Sequence, residues 1–123
     1  MIVGVGVDIA ELDRIAKSYA RFGAKFSAKI LNQSEQDRLP ANVIPFLASR
    51  FAAKEAAVKA FCTGFRGGIT FQDIEVASDP LGKPLVLFHN TALQRCRELH
   101  VSHAHISLSH GRENAVAMVI LED

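Results

Sequence analysis

The stretch that most constrains this chain is Phe46-Leu-Ala-Ser-Arg-Phe-Ala-Ala-Lys-Glu-Ala-Ala-Val-Lys-Ala-Phe-Cys62. Alanine is the best helix former, Pro45 suits a helix start and Gly64 supplies a stop, so the stretch predicts a helix. At about 100° per residue, large apolar side chains cover one side of that helix and alanines cover the other. A helix that is apolar all round is normally buried, so we expect the other elements to pack around this one.

Four charged residues interrupt the apolar helix: Arg50, Lys54, Glu55 and Lys59. A buried charge is costly unless a partner compensates it. One explanation is a ladder of ion pairs, such as Glu55 with Lys59 at the i,i+4 spacing. The other is a site for an anionic ligand, with three cations and one carboxylate that can hold a metal. We favour the second explanation because local sequence rules tend to be broken at functional sites.

Length and composition bound the class of protein. The 123 residues, with an apolar fraction of 49 %, fit one domain over residues 1–123, and a core of this size makes oligomerisation a fair expectation. The formal net charge of +1 does not indicate nucleic-acid binding. Cys62 and Cys96 lack a paired short spacing, which is typical of free thiols. Neither a signal-peptide pattern nor an apolar run of membrane-spanning length is found, so we expect a soluble, cytoplasmic protein.

The run from Ile2 to Ile9 predicts the first β-strand, because it is apolar and rich in β-branched residues. Its alternation places Gly4, Gly6 and Asp8 on one face. Glycine within a strand often marks the close approach of another backbone or of a ligand. Asp8 has two interpretations, an N-cap for the next helix or a ligand residue, and capping is the commoner role for aspartate.

The remaining pattern predicts an α+β fold, with a largely antiparallel sheet of about five strands packed with the long central helix. Its other elements are a helix over 11–22, two helical turns within 24–39, strands at 69–77 and 85–88 joined as a hairpin, a helix over 90–99, and strands at 103–109 and 115–121. Within the first helix, Arg14, Lys17 and Arg21 form a basic cluster. Such a cluster indicates either a solvated face or a docking surface for an acidic partner.

Asp8 and Glu55 are the only acids embedded in strongly apolar elements. Two carboxylates suit magnesium, which usually keeps several waters and completes its shell with substrate phosphates. The cations Arg50, Lys54 and Lys59 would then neutralise those phosphates. Together these residues indicate magnesium-assisted chemistry on a phosphate ester or anhydride.

The histidines raise a second metal hypothesis, a structural zinc site. On a strand, His103 and His105 share one face and could bind a metal, whereas His110 falls on the opposite face. No nearby cysteine completes a structural zinc pattern, and exposed strand histidines are the commoner interpretation. Ser109 and His110 point apart on a strand, so they do not form a nucleophile–base pair.

Four motifs then follow one another along the chain. They are Gly6-Val-Asp8-Ile9 with Arg14-Ile15, then Arg50-Phe-Ala-Ala-Lys-Glu55-Ala-Ala-Val-Lys59-Ala, then Asp73-Ile-Glu-Val76 with Gly82-Lys-Pro84, and finally Ser107-Leu-Ser-His110. In this order they resemble the short phosphopantetheinyl transferases, the holo-[acyl-carrier-protein] synthases. The likeness covers nearly the whole chain, and the second motif is the most specific.

The resemblance implies a reaction, a cofactor and an assembly. The reaction is transfer of 4′-phosphopantetheine from coenzyme A to a serine of apo-acyl carrier protein, which leaves adenosine 3′,5′-bisphosphate and serves fatty acid biosynthesis. Magnesium is the implied cofactor. The implied assembly is a homotrimer with active sites between subunits. The rival interpretation is a non-catalytic module that binds coenzyme A or a nucleotide with the same groups.

The resemblance also assigns individual residues. Asp8 and Glu55 match the magnesium ligands, and Lys59 matches a lysine near the reacting phosphate, so these three are the candidate catalytic residues. The positions lining the coenzyme A site match Arg50, Lys54, Lys59 and His110. On the first helix Arg14 matches a carrier-docking position, and we extend that role to Lys17 and Arg21. The chain departs from the family at Cys62, where glycine is usual.

Overall fold

The computed structural model describes all residues from Met1 to Asp123. Its strands and helices are β1 Ile2–Glu11, α1 Leu12–Phe22, α2 Ala24–Ile30, α3 Gln33–Gln36, α4 Val43–Ala60, β2 Ile74–Ser78, β3 Pro84–Phe88, α5 Asn90–Glu98, β4 His103–His110 and β5 Asn114–Glu122. Single 3₁₀ turns at Arg66–Gly68 and Phe71–Asp73 join α4 to β2. No helix has both the length and the apolar character needed to cross a membrane.

The strands form two sheets. One is an antiparallel three-stranded sheet in the order β1-β5-β4, and the other is the antiparallel hairpin of β2 with β3. The predicted α+β class and the antiparallel pairing are confirmed. The prediction of a single sheet of about five strands is wrong, because β3 lies against β4 without a hydrogen-bonded ladder between them. The sequence pattern indicates strands and their faces, but it does not say which outer edges pair.

Helix α4 lies across the three-stranded sheet, and Gly4 and Gly6 let it come close. A Cβ atom added to Gly4 would lie 2.1 Å from the carbonyl oxygen of Ala60, and one added to Gly6 would lie 1.8 Å from that of Ala56. Both contacts are with backbone, which cannot move aside as a side chain can. The predicted close approach at these glycines is therefore confirmed, and it fixes the distance between helix and sheet.

The ends of α4 differ slightly from the prediction. The helix begins at Val43, so Pro45 lies in the first turn, where its missing N–H has no partner to lose. It ends at Ala60, and Cys62 follows with a φ of 62°. A residue in this left-handed region often terminates a helix and favours glycine, which accounts for the glycine usual in the family. Cys62 is exposed and Cys96 is buried, and burial raises the pKa of the Cys96 thiol to about 11.

One face of the three-stranded sheet points away from α4 and is exposed. Its apolar members are Val5, Val7, Ile9, Val116 and Met118. Val7 pairs with Met118 and Ile9 pairs with Val116 across the β1–β5 ladder, so the members are contiguous. A continuous apolar surface of this kind usually marks an interaction site. We call it the outer sheet face.

Candidate active site

Asp8 lies near the end of β1, on the sheet face that α4 covers. Its side chain is 17 % exposed, and its Oδ1 atom lies 2.8 Å from Nζ of Lys59. The same ammonium donates to the carbonyl oxygen of Val7 at 3.1 Å. Asp8 does not cap α1: the N-cap residue is Glu11, without a side-chain hydrogen bond. The capping interpretation is wrong because β1 continues beyond Asp8 and carries the chain past the position where a cap could act.

Glu55 reaches the same cavity from α4. The cavity has a volume of about 330 Å³, and Asp8, Glu55 and Arg14 are among its lining residues. Partial burial raises the pKa of the Glu55 carboxyl, the negative charge of Asp8 raises it further, and Lys59 lowers it. Lys59 forms its ion pair with Asp8, not with Glu55 one turn away, so the i,i+4 ladder is not the arrangement found. We call this the carboxylate cavity.

The donor set of the carboxylate cavity fits a hard divalent cation. Asp8 and Glu55 both offer carboxylate oxygens, and a bound cation would favour the charged form of Glu55, whose pKa is raised by partial burial and then by the charge of Asp8. No group of three or more histidine, cysteine or acidic side chains is placed to hold a metal. Two protein ligands therefore suit magnesium, which takes its remaining oxygens from water and phosphate, better than a closed metal cage.

The histidines of β4 do not form a zinc-binding cluster. His103 and His105 do share an exposed face, with ring centroids 6.5 Å apart, and Nε2 of His105 lies 3.1 Å from Oε1 of Glu122. These groups do not converge into a set of metal ligands. A structural zinc site requires four such ligands in a tetrahedral arrangement, so the zinc hypothesis finds no support here.

Lys54 lies outside the carboxylate cavity. Its side chain has no exposed surface, and its ammonium contacts Glu35 and the carbonyl oxygen of Ile30. Burial lowers the pKa of Lys54, and the negative charge of Glu35 opposes that shift. The prediction that Lys54 lines a ligand site is wrong, because its charge is already compensated inside the core.

Arg50 is half-buried on α4 and does not line the carboxylate cavity. Its guanidinium carbon lies 4.0 Å above the ring centre of Phe46, and Nη1 donates to Oγ of Ser49 at 3.1 Å. Its Nε atom is buried without a hydrogen-bond partner. Burial lowers the pKa of Arg50, partly offset by the charge of Glu35. Arg50 thus retains an unused donor, and its contact with coenzyme A stays a prediction.

His110 is the last residue of β4 and is exposed. It pairs with Ala115 of β5, which in turn pairs with Ala10 of β1, so His110 lies two strands, or roughly 10 Å, from β1. It lines a shallow depression beside Arg112 and Glu113 that does not include Asp8. Within one chain, therefore, His110 is not brought into the carboxylate cavity.

The basic residues of α1 are exposed, as their spacing predicted. Arg14 also lines the carboxylate cavity, Lys17 forms an ion pair with Asp13 at 3.2 Å, and Arg21 stacks over the ring of Phe22 at 5.0 Å. Arg14, Lys17 and Arg21 thus form a basic strip that starts at the cavity and runs along the helix.

A second cavity adjoins the first and was missed by the sequence analysis. It has a volume of about 360 Å³ and shares Ser18, Phe26 and Phe51 with the carboxylate cavity. Its other lining residues are Phe22, Lys25, Lys29, Ile30 and Phe71. The available signal was a pair of phenylalanines, Phe22 and Phe26, on either side of Gly23. The chain turns at Gly23, with a φ of 56°, and leaves both rings only partly covered. We call this the phenylalanine groove.

The fold and cavity define a class: an α+β protein whose central helix and first strand bring two carboxylates and a lysine together. The family model described as the 4′-phosphopantetheinyl transferase superfamily matches residues 4–119. A relative in Nitratidesulfovibrio vulgaris, a holo-[acyl-carrier-protein] synthase, is 54 % identical over 99 % of each chain. This chain therefore belongs to the 4′-phosphopantetheinyl transferase superfamily, in its holo-[acyl-carrier-protein] synthase family, and is an enzyme.

Solved structures agree with this placement. The holo-[acyl-carrier-protein] synthase of Neisseria meningitidis superposes with a TM-score of 0.92 at 36 % identity and covers 100 % of both chains. The holo-(acyl-carrier-protein) synthase of Bacillus anthracis, solved in complex with CoA (3′,5′-ADP), has a TM-score of 0.82 at 39 % identity, with 98 % of this chain and 96 % of that chain covered. The architecture is thus that of solved family members over its full length.

Proposed function

We propose that this enzyme transfers 4′-phosphopantetheine from coenzyme A to a serine of apo-acyl carrier protein and requires Mg²⁺. The observation that carries the proposal is a cavity lined by both Asp8 and Glu55, with Lys59 paired to Asp8. The full-length similarity to holo-[acyl-carrier-protein] synthases supports the substrates, and the Bacillus anthracis complex supports the coenzyme. We place the reaction in the cytoplasm, in preparation of the carrier for fatty acid biosynthesis.

In the proposed reaction the carrier serine oxygen bonds to the β-phosphorus of coenzyme A. The serine hydroxyl proton passes to water, the bridging P–O bond breaks, and adenosine 3′,5′-bisphosphate leaves. Asp8 and Glu55 would hold Mg²⁺, which when bound neutralises charge on the pyrophosphate. The hydrogen bond from Lys59 to Asp8 raises the pKa of Lys59, so the side chain stays an ammonium and gives the phosphates a fixed positive charge.

A homotrimer with active sites between subunits is part of the proposal. The outer sheet face supports it, because five contiguous apolar residues lie exposed there. The distance of His110 from Asp8 within one chain also supports it, since a neighbouring subunit could bring coenzyme A contacts that one chain does not bring together. Arg50, with its free buried Nε, is the other proposed coenzyme A contact.

Light scattering tests the assembly. The wild-type protein should have three times the chain mass, and Val7→Glu should be monomeric because it places a charge within the outer sheet face. Leu81→Glu is the matched control, since Leu81 is 95 % exposed in the β2–β3 turn and should leave the trimer intact. A wild-type monomer at micromolar concentration would contradict the trimer.

We propose that the basic strip of α1 docks the carrier, because acyl carrier proteins are acidic and exposed opposite charges speed association. The phenylalanine groove lies beside the strip, with Lys25 and Lys29 among its lining residues. A partner docked on α1 would therefore cover the groove and stand next to the carboxylate cavity.

The alternative is a module that binds coenzyme A without turning it over. Mass spectrometry of apo-acyl carrier protein, after incubation with the enzyme, coenzyme A and Mg²⁺, separates the two. Transfer adds one phosphopantetheine group to the carrier mass, and the addition should disappear when EDTA removes the metal. Binding of coenzyme A without any mass increase would establish the non-catalytic alternative.

A further inference from the structure

A fully buried ion pair joins four segments of the fold and has no part in the proposed reaction. Neither Lys54 nor Glu35 has exposed side-chain surface, and Nζ lies 2.5 Å from Oε1. Lys54 also donates to the carbonyl oxygen of Ile30 at 2.6 Å, and Glu35 accepts from the backbone N–H groups of Asn32 and Val76, both at 3.0 Å. The pair thus ties α4 to the end of α2, the start of α3 and strand β2.

A contribution to stability does not by itself explain why this ion pair is present. Well-packed apolar side chains in place of a buried ion pair are often neutral or stabilising. Apart from its close backbone contacts with Gly4 and Gly6, however, helix α4 has few features that fix its rotation about its own axis. Its buried surface is built mostly from small side chains, namely Ala48, Ala52, Ala53, Ala56, Ala57 and Ala60. A smooth alanine surface on several sides specifies rotation poorly, whereas the ammonium of Lys54 meets its acceptors at one rotation only.

Glu55 lies between this pair and a second fixed contact. The preceding residue is Lys54, and the following residue, Ala56, has its carbonyl oxygen against Gly6. A helical side chain ends roughly 6 Å from the helix axis, so a rotation of roughly 20° would move the Glu55 carboxylate by about 2 Å. Misplacement by about 1 Å at a reacting centre can cost about 100-fold in rate.

We infer that Lys54 and Glu35 are positioning residues that hold the Glu55 carboxylate against Asp8. They touch neither metal nor substrate and act through the rotation of α4. The inference rests on the proposed function, because it places a metal between Asp8 and Glu55. It also gives a new role to a charge that the sequence analysis had placed at the ligand site.

The test compares the wild type with the double variant Lys54→Met/Glu35→Gln. This variant removes both charges at similar volume and keeps an acceptor oxygen for one of the two backbone N–H groups, which donate to different oxygens of Glu35. Electron paramagnetic resonance measures Mn²⁺ binding with coenzyme A present, circular dichroism measures folding, and the transfer assay gives the KM for the carrier. We expect a folded protein whose Mn²⁺ dissociation constant rises about 10-fold, as for other residues that orient metal ligands, while the carrier KM changes less than about twofold.

Ser27→Ala is the matched control. Its hydroxyl is also buried but bonds only to the carbonyl oxygen of Ala24, within α2, so Mn²⁺ affinity should not change. A folded double variant with wild-type Mn²⁺ affinity would overturn the inference. Equal weakening by Ser27→Ala would overturn it too, because general loosening would then explain the effect.

If the double variant does not fold, Glu35→Asp replaces it, since it keeps both charges and shortens one side chain by a methylene. Weaker Mn²⁺ binding by the folded Glu35→Asp protein supports positioning, and unchanged binding contradicts it. A wild type that neither binds Mn²⁺ nor transfers phosphopantetheine would defeat the proposed function and this inference together. If the wild type binds Mn²⁺ and transfers phosphopantetheine, and the variants bind Mn²⁺ equally well, the proposed function stands and only this inference is contradicted.

Discussion

Helix α4 carries two lysines that make the same kind of contact in opposite surroundings. Lys54 lies 2.5 Å from Glu35, and both side chains are 0 % exposed. Lys59 lies 2.8 Å from Asp8, with side chains 53 % and 17 % exposed. The carboxylate of Glu35 also accepts two backbone N–H groups, whereas no further hydrogen bond to Asp8 is found.

The two pairs differ in burial and hardly in pairing distance, so burial separates the structural Lys54 from Lys59, the proposed functional lysine. A buried pair with every polar group satisfied has nothing left to give a ligand, and breaking it leaves an uncompensated charge in the core. A pair open to solvent can exchange one partner for a metal or a phosphate at little cost in stability. Both lysines occupy the same apolar helix, so the sequence motif alone does not distinguish them.

The largest effect should come from replacing Asp8 or Glu55, two acids of the solvent-accessible carboxylate cavity. Asp8→Ala and Glu55→Ala should each lower the transfer rate at least about 1,000-fold, or about 4 kcal/mol, because each removes one of two proposed metal ligands. Their unfolding free energies should change by less than about 1 kcal/mol, since an open ion pair contributes little. Carrier mass spectrometry at saturating Mg²⁺ measures the rate. Retained turnover in either variant would rule out the metal assignment.

Matched substitutions of the two lysines test the comparison directly. Lys54→Met should lower the unfolding free energy by about 3–5 kcal/mol, because it leaves Glu35 charged and buried. Lys59→Met should lower it by less than about 1 kcal/mol, because Asp8 keeps access to water. Urea unfolding followed by circular dichroism measures both. Similar losses of unfolding free energy in the two variants would contradict the distinction between the buried and the solvent-accessible lysine.

A third cation, Arg14, extends the comparison to a group that is exposed and has no ion-pair partner. Arg14→Glu should raise the KM for the carrier about 5- to 10-fold at low salt and leave the KM for coenzyme A nearly unchanged. Added salt should weaken the wild type toward the carrier more than the variant, because exposed charges are screened. If carrier kinetics at low salt are unaffected, the basic strip is only a solvated face.

The smallest effect concerns the pH dependence of stability at Glu55. Its pKa is raised from the ordinary value of 4.5, so the folded state binds this proton more tightly than the unfolded state. The corresponding stability is present at low pH and is lost as pH rises from about 4.5 through the folded pKa. Glu55→Gln should remove this pH-dependent loss of unfolding free energy. We expect the loss to be less than about 0.5 kcal/mol, because solvent screens the charges around Glu55. Unfolding curves of both proteins at pH 4 and pH 7 provide the measurement, and a larger loss in the variant would contradict the sign.

Periodicity and residue type predicted much of the framework. The alanine-rich stretch located α4, and the alternation of β1 placed Gly4, Gly6 and Asp8 on the face that meets the helix. Local patterns of this kind depend on neighbours in sequence, so the chain itself displays them. The carboxylates Asp8 and Glu55 were identified because each breaks an otherwise apolar element, and the structure brings both to one cavity.

What the sequence did not predict depends on contacts between distant segments. Lys54 was placed at a ligand site because its partner, Glu35, lies in a weakly patterned segment that gave no sign of reaching into the core. The interpretation of Asp8 as a cap failed because β1 runs on to Glu11. The division into two sheets follows from edge pairing, which side-chain alternation leaves open.

The contact of Gly4 and Gly6 with α4 has a practical meaning for anyone who wishes to redesign this enzyme. Gly4 and Gly6 each carry a hydrogen atom where other residues carry a Cβ atom. This sets the distance between β1, which carries Asp8, and α4, which carries Glu55. A mutant library aimed at new carriers can therefore vary the basic strip and the phenylalanine groove widely. Positions 4 and 6 should be left out of randomisation, because even alanine there would push β1 away from α4 and so separate the proposed metal ligands Asp8 and Glu55.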